Sequence, residues 1–157
     1  MPYFPYLHAQ DAVLKRMRQR AEQSSTGRCQ TGAIVNIVRM GGKVASAVHG
    51  AGGAANVALL LVTVGLASHY ARVGIRINAI NPATTLTGRA DAALEVDACR
   101  QGSSRDAVLA RLLAEIPLGP YADPAEIADM AVFLASERAS HVVSTVMTID
   151  GGRSSVI

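Results

Sequence analysis

Arg39, Ser46, His49 and Asn56 can all do chemistry, and all four fall inside residues 32–72. A guanidinium at position 39 can grip a carboxylate or a phosphate, because its planar fork of N–H donors matches their oxygens. Ser46 and His49 set a hydroxyl three residues from an imidazole, the beginning of a nucleophile and its base, though no acidic third member lies near them in sequence. The Asn56 amide can donate to a substrate oxygen, and reads equally as a helix-start residue satisfied by backbone. Farther on, Asp91, Glu95 and Asp97 gather carboxylates, with 91 and 95 one helical turn apart. Hard cations such as Ca²⁺ or Mg²⁺ seek several oxygens, so Asp91 and Glu95 are a candidate metal pair, but a solvated helix face is the preferred reading and no metal is expected. Asp123, Glu126 and Asp129 are expected to cap a helix and complement its dipole.

A strand and a helix must position the first group. Residues 32–38, GAIVNIV, form a nearly continuous β-branched run, the pattern of a parallel strand covered on both faces. Glycines at 41, 42, 50, 52 and 53 then suggest a loop, and 54–71 is apolar on nearly every side, as in a buried helix. Gly50, Gly52 and Gly53 read superficially as a phosphate-binding GxGG, but they follow the strand by twelve residues and are assigned to the loop. Before this stretch, 7–23 predicts a helix with Leu7, Val13, Leu14 and Met17 inward and a cluster of Arg and Lys outward. After it, 75–80 predicts a second buried strand halted at Asn81-Pro82. Helices at 89–99 and 104–116 form a mobile lobe, Asp123-Pro124 opens a helix to about 136, and 144–149 is a third strand. Helices alternating with strands imply parallel pairing by right-handed crossovers.

The 157 residues suffice for one core, so a single domain over 1–157 is expected. Half are hydrophobic and 17% are charged, which excludes disorder. The longest apolar run, 57–67, is broken by Thr63 and Gly65 and falls short of the ~18 residues of a membrane span. The opening MPYFPYLHAQ lacks a basic segment followed by an apolar one, so a cytoplasmic location is expected. Cys29 and Cys99 are read as reduced thiols. The net charge of +3 lacks interleaved aromatics, and nucleic acid is not an expected partner.

Several blocks in order, GAIVNIV, AANVALL, GIRINAINP, IPLGPYADPAEIADMAVFLASERAS and TIDGG, resemble the short-chain dehydrogenase/reductase family, in its carboxyl-terminal half, over about 7–152. The resemblance implies a three-layer α/β fold, a partial Rossmann-like parallel sheet of about three strands completed by oligomerisation. On this match Arg39, Gly52 and Asn56 stand at the family's catalytic Ser, Tyr and Lys positions, and Ala83 replaces the Gly of its Pro-Gly pair. Thr87 falls on a Thr that helps hold the cofactor. Nothing corresponds to the family's opening strand and Gly-rich turn, which place a pyrophosphate on a helix amino terminus. The expectation is a truncated domain without NAD(P) or hydride transfer, acting as a small-molecule-binding or interaction protein. Two alternatives stay open: a hydrolase of small esters or lactones using His49 and Arg39, and an NAD(P)-dependent oxidoreductase completed by another chain.

Ligands of open α/β sheets bind beyond the carboxyl ends of the strands. By that rule Arg39, Met40, His49, Pro82, Ala83, Thr84, Thr87 and Asp150 line the expected pocket. The helices at 7–23 and 54–71 correspond to the family's dimer-forming pair, so a homodimer or homotetramer through them, and through the edge of strand 33–38, is the expected assembly. A membrane is not expected as a partner.

Overall fold

In the computed structural model, which describes residues 3–23, 32–40 and 50–154, β2 (Ile75–Pro82) is buried at every residue. It lies between β1 (Gly32–Ile37) and β3 (Val146–Ile149), and all pairing is parallel, in the order β1-β2-β3. The register runs from Gly32 opposite Ile75 to Ile37 opposite Ile80, then from Ala79 opposite Val146 to Pro82 opposite Ile149. Successive side chains of a strand point to opposite faces, so β2 feeds two cores. On one face Ile75 and Ile77 meet Leu14 of α1 (Tyr3–Gln23) and Ala67 of α2 (Gly50–Ala71). On the other, Ile80 meets Ile127 and Leu134 of α5 (Pro124–Ala135).

The polar residues of this central strand are buried as well, and each does a specific job. Arg76, 3% exposed, donates to the carbonyls of Leu134, Ala135 and Ser136 at the end of α5. The amide of Asn78 donates to Val142 O at 2.9 Å and accepts from Thr145 N at 3.1 Å, holding the approach to β3. Asn81 resolves what a proline does in the ladder. Val38 N donates to Ile80 O, and the next rung would need an N–H from Pro82 to Val38 O. The Asn81 side-chain amide supplies that donor.

Three sequence expectations change here. The strand runs through Asn81-Pro82 rather than stopping before them, for the reason just given. α2 begins at Gly50, four residues before 54, so Gly50, Gly52 and Gly53 form its first turns and not a loop, while Gly41 and Gly42 lie outside the described residues. A 22-residue helix seated on the sheet outweighs a helix-interior cost of about 1 kcal/mol per glycine. α2 is also not buried all round: Leu59, Thr63 and Ala67 face the sheet, while Val57, Leu61 and Val64 are exposed. Its length and a mean hydropathy of 1.7 make it the one helix among the described residues apolar enough to cross a membrane, since Thr63 and Gly65 barely lower the average. Its packing against β2 is that of a layer helix.

Between β2 and α5 the chain forms α3 (Gly88–Gln101) and α4 (Arg105–Ala114), joined by their own small core of Leu94, Ala98 and Val108. The lobe leaves and returns at one neck, where Leu86 N donates to Ala122 O at 2.9 Å. The Asp123 start of α5 is as expected: Asp123 accepts from Ala125 N and Glu126 accepts from Asp123 N, a complete capping box.

Candidate functional site

The carboxyl ends of β2 and β3 are tied by a bond from Ala83 N to Ile149 O at 2.9 Å, and the floor of a small pocket lies there. Its walls come from Ala83 and Thr84 after β2, from Asp150 and Gly151 after β3, and from Leu118 and Tyr121 where the lobe returns. Gly151 has a φ of 64°, and a Cβ there would come within 2.5 Å of Ile116, so only glycine lets the β3 turn close this wall. The cavity is about 100 Å³. That is below the roughly 300–1,000 Å³ of ordinary ligand sites.

Most of the polar groups here are already engaged. Burial pushes the Asp150 carboxyl up, but hydrogen bonds from the Ser154 hydroxyl and from the amides of Ser154 and Gly152 outweigh it, leaving the pKa below 3.8. Glu126 is held by the capping box. Burial is the main cause that raises the Tyr121 phenol above 10.0, with Arg153 opposing it, so at neutral pH it is an O–H donor and not a phenolate. The pocket can hold a small group by shape and by a neutral hydroxyl, and no nucleophile and base meet within it.

A folded pKa below the unfolded value means that ionised Asp150 stabilises the 150–154 turn above pH 3.8 and ceases to do so as pH falls through its lower folded value. Asp150→Asn should therefore lower the melting temperature at neutral pH. Melts of both proteins from pH 7 down to about 2 should show the difference shrinking in acid; a constant difference would assign the effect to packing.

Of the expected pocket residues, the structure brings together Ala83, Thr84 and Asp150. Pro82 is the last residue of β2 and Thr87 is the N-cap of α3, its hydroxyl accepting from Ala90 N at 3.3 Å, so neither lines the cavity. Arg39 is exposed just past β1, and Met40 beside it is half-buried. Neither lines the cavity, and Arg39 makes no ion pair among the described residues. Gly52 is exposed in the first turn of α2 and Asn56 is half-buried one turn later. Ser46, His49 and Cys29 lie outside the described residues; Cys99 is an exposed free thiol. Tyr121 and Glu126 were missed, because only the fold returns them to the strand ends. At Asp91 and Glu95, the lesser metal candidates, Arg105 sits between the carboxylates, its Nη2 2.7 Å from Asp91 Oδ1 and its Nε 3.4 Å from Glu95 Oε1. A resident cation supplies the charge that a metal would, and no group of three such ligands occurs among the described residues.

A second hollow, about 290 Å³, opens between α1 and α2 beside Leu7, His8, Asp11 and Tyr70. It lies toward the amino ends of the strands, because α2 runs down to the start of β2.

The sequence profile described as enoyl-(acyl carrier protein) reductase matches residues 11–154. Among curated proteins, the inactive 2-(S)-hydroxypropyl-CoM dehydrogenase 2 of Xanthobacter autotrophicus is 34% identical over 80% of this chain and 52% of its own length. Among solved structures, an NADPH-dependent reductase involved in bacilysin biosynthesis matches 99% of this chain and 56% of its own at 25% identity, TM-score 0.84. An NAD⁺-bound xylitol dehydrogenase matches 93% and 55% at 26% identity, TM-score 0.80. The chain thus spans about half the length of the relatives it matches.

Those two structures overturn the expectation that no nicotinamide cofactor goes with this sequence, for one is NADPH-dependent and the other holds NAD⁺. Fit is a separate matter. The strand-end cavity is too small for a dinucleotide, and Cβ atoms built on Gly50 and Gly52 meet nothing within 4 Å, so these glycines are not a close cradle for phosphate. The described residues do not by themselves make a complete dinucleotide site.

Proposed function

Since the chain belongs to the short-chain dehydrogenase/reductase family, we propose that it is a member without hydride-transfer activity of its own, serving as a binding and assembly half. One observation carries this reading: the first turns of α2, where the family match puts a Tyr and a Lys, hold an exposed Gly52 and a half-buried Asn56. With no hydroxyl at 52 there is no group to deliver a proton to a carbonyl, and general acid catalysis of that kind contributes about 10²–10⁴-fold. Arg39 at the serine position likewise cannot present a small hydroxyl to a carbonyl oxygen. The curated relative that bears the word inactive in its name is in keeping with such a loss. Purified chain mixed with NADH or NADPH and a panel of ketones and aldehydes should oxidise neither cofactor above the protein-free rate. Turnover that disappears on changing Tyr121→Phe would sink the proposal by identifying another proton donor.

The assembly part rests on the exposed apolar faces of α1 and α2: Tyr6 is 60% exposed, Val13 43%, Val57 48%, Leu61 72% and Val64 41%. Exposed apolar side chains on two neighbouring helices are what an interface needs, and a second copy of the chain offers the same surface back. Leu61→Asp should convert the dimer to a monomer in light scattering with secondary structure unchanged, because Leu61 touches no core in the single chain. An unchanged mass would place the interface elsewhere.

A further inference from the structure

The hollow between α1 and α2 takes no residue from the strand-end pocket or from the exposed side chains proposed for self-association. On α2 those exposed side chains, Val57, Leu61 and Val64, form one stripe, whereas Leu66 and Tyr70 of the hollow are half-buried one turn apart. α1 supplies Leu7, His8, Asp11 and Leu14. Leu14 is 1% exposed and belongs to the core cluster against which Leu66 and Tyr70 pack, so the floor is a carbon surface that reaches the core. One wall is the Tyr70 ring, held edge-to-face by His69 with the centroids 5.1 Å apart. Asp11 is the one carboxylate of the lining, and its Oδ2 lies 2.7 Å from the Lys15 ammonium.

Size and charge together select an occupant. An apolar cavity of about 150 Å³ takes up one benzene ring and ordinary ligand sites begin at roughly 300 Å³, so 290 Å³ admits a single or fused ring and not a dinucleotide. At the rim Asp11 is balanced by Lys15, and one turn on Arg18 is balanced by Glu22 at 2.8 Å, so neither an anion nor a cation gains by entering. A carboxylate has more acceptor sites than one ammonium fills, and the hollow therefore offers an acceptor above an apolar floor. We propose that it binds a neutral aromatic ring carrying one N–H or O–H donor, of the indole or phenol class. The ring lies among Leu14, Leu66 and Tyr70, where aromatic pairing adds to area burial, and the donor points to the Asp11 carboxylate. Because both helices line the site, such a ligand ties α1 to α2. The site lies within one chain and takes no part in hydride transfer, so it stands or falls separately from the function proposed above.

Titration with indole, followed by NMR of methyl-labelled leucines, tests it. Leu7, Leu14 and Leu66 should show saturable shifts, half-complete near about 1 mM, with Leu118 of the strand-end pocket unmoved and the melting temperature raised. 1-Methylindole keeps the ring and lacks the donor, so it should bind about tenfold more weakly, and Asp11→Ala should remove that difference. Leu7→Trp sets a fused ring of the chain's own in the hollow and should abolish the indole shifts at Leu14 and Leu66 without lowering the melting temperature. The same titration on Leu61→Asp separates the ligand from a second copy, for a hollow covered in the assembly would bind indole in that variant alone. The inference is overturned by that result, by the lack of a saturable shift in either protein up to about 10 mM, by shifts centred on Leu118, or by equal affinity for the two indoles.

Discussion

Arg76→Met is expected to lower the unfolding free energy by about 3 kcal/mol or more. The guanidinium is 3% exposed and donates at 2.6 Å to Leu134 O, at 3.2 Å to Ala135 O and at 2.9 Å to Ser136 O. These are terminal carbonyls of α5, which have no intrahelical donor, and they form the negative end of its dipole. Burial draws the Arg76 pKa below its ordinary value, but arginine remains charged at any pH at which the protein folds. Methionine keeps the apolar stem and removes every Arg76 donor, so Leu134 O and Ala135 O lose that partner while Ser136 O keeps Ala139 N at 3.2 Å, at roughly 1–3 kcal/mol for each buried carbonyl left unpaired. At about 2–4 °C per kcal/mol for a chain of this size, the melting temperature should fall by about 6–12 °C. A fall below about 2 °C would mean that water replaces the guanidinium and that Arg76 does not hold α5 to the sheet.

Ile77→Ala is expected to cost a similar amount, about 3 kcal/mol within the 2–5 range for such truncations. Ile77 is fully buried between α1 and α2, in the cluster with Leu14, Ala67 and Ile75. The backbone on either side is fixed by ladders to β1 and β3, so the cavity cannot close by moving the strand. Partly buried Met17 is the flexible neighbour that can fill part of it, which keeps the estimate below the upper end. Denaturant titration should shift the midpoint without changing the slope. A loss under about 1 kcal/mol would show that the α1 layer is loosely seated on the sheet.

The strands and α5 were legible because their signals are local. β-branched runs write 32–38 and 75–80, and Asp123, Pro124 and Glu126 write a helix start within four residues. Local signals misled where tertiary partners decide. Glycines at 50, 52 and 53 read as loop, but helix α2 carries them because its later turns are anchored on β2. Pro82 read as a stop, and Asn81 supplies the donor that proline lacks. The acidic pair Asp91 and Glu95 read as a solvated face with a cation as the lesser alternative, because Arg105, fourteen residues from Asp91, is brought to them only by the α3 to α4 turn. Likewise Tyr121 reaches the strand ends only when the lobe comes back at its neck, so the pocket's phenolic hydroxyl was invisible beside Ala83, Thr84 and Asp150. The cofactor expectation failed for a different reason. It was inferred from the missing pyrophosphate turn, whereas one matched structure is NADPH-dependent, another holds NAD⁺, and this chain overlaps only 55–56% of each.

The most direct test of the missing proton donor at Gly52 is a single-turnover deuteride transfer. The chain, in excess over NADPH deuterated at the transferable position, is incubated with a mixture of ketones and aldehydes, and the alcohols are read by mass spectrometry. The account predicts no deuterium in any alcohol above the protein-free control. A deuterated alcohol formed by the chain alone, and lost when the protein is unfolded by heat, would contradict it and return the protein to the working dehydrogenases.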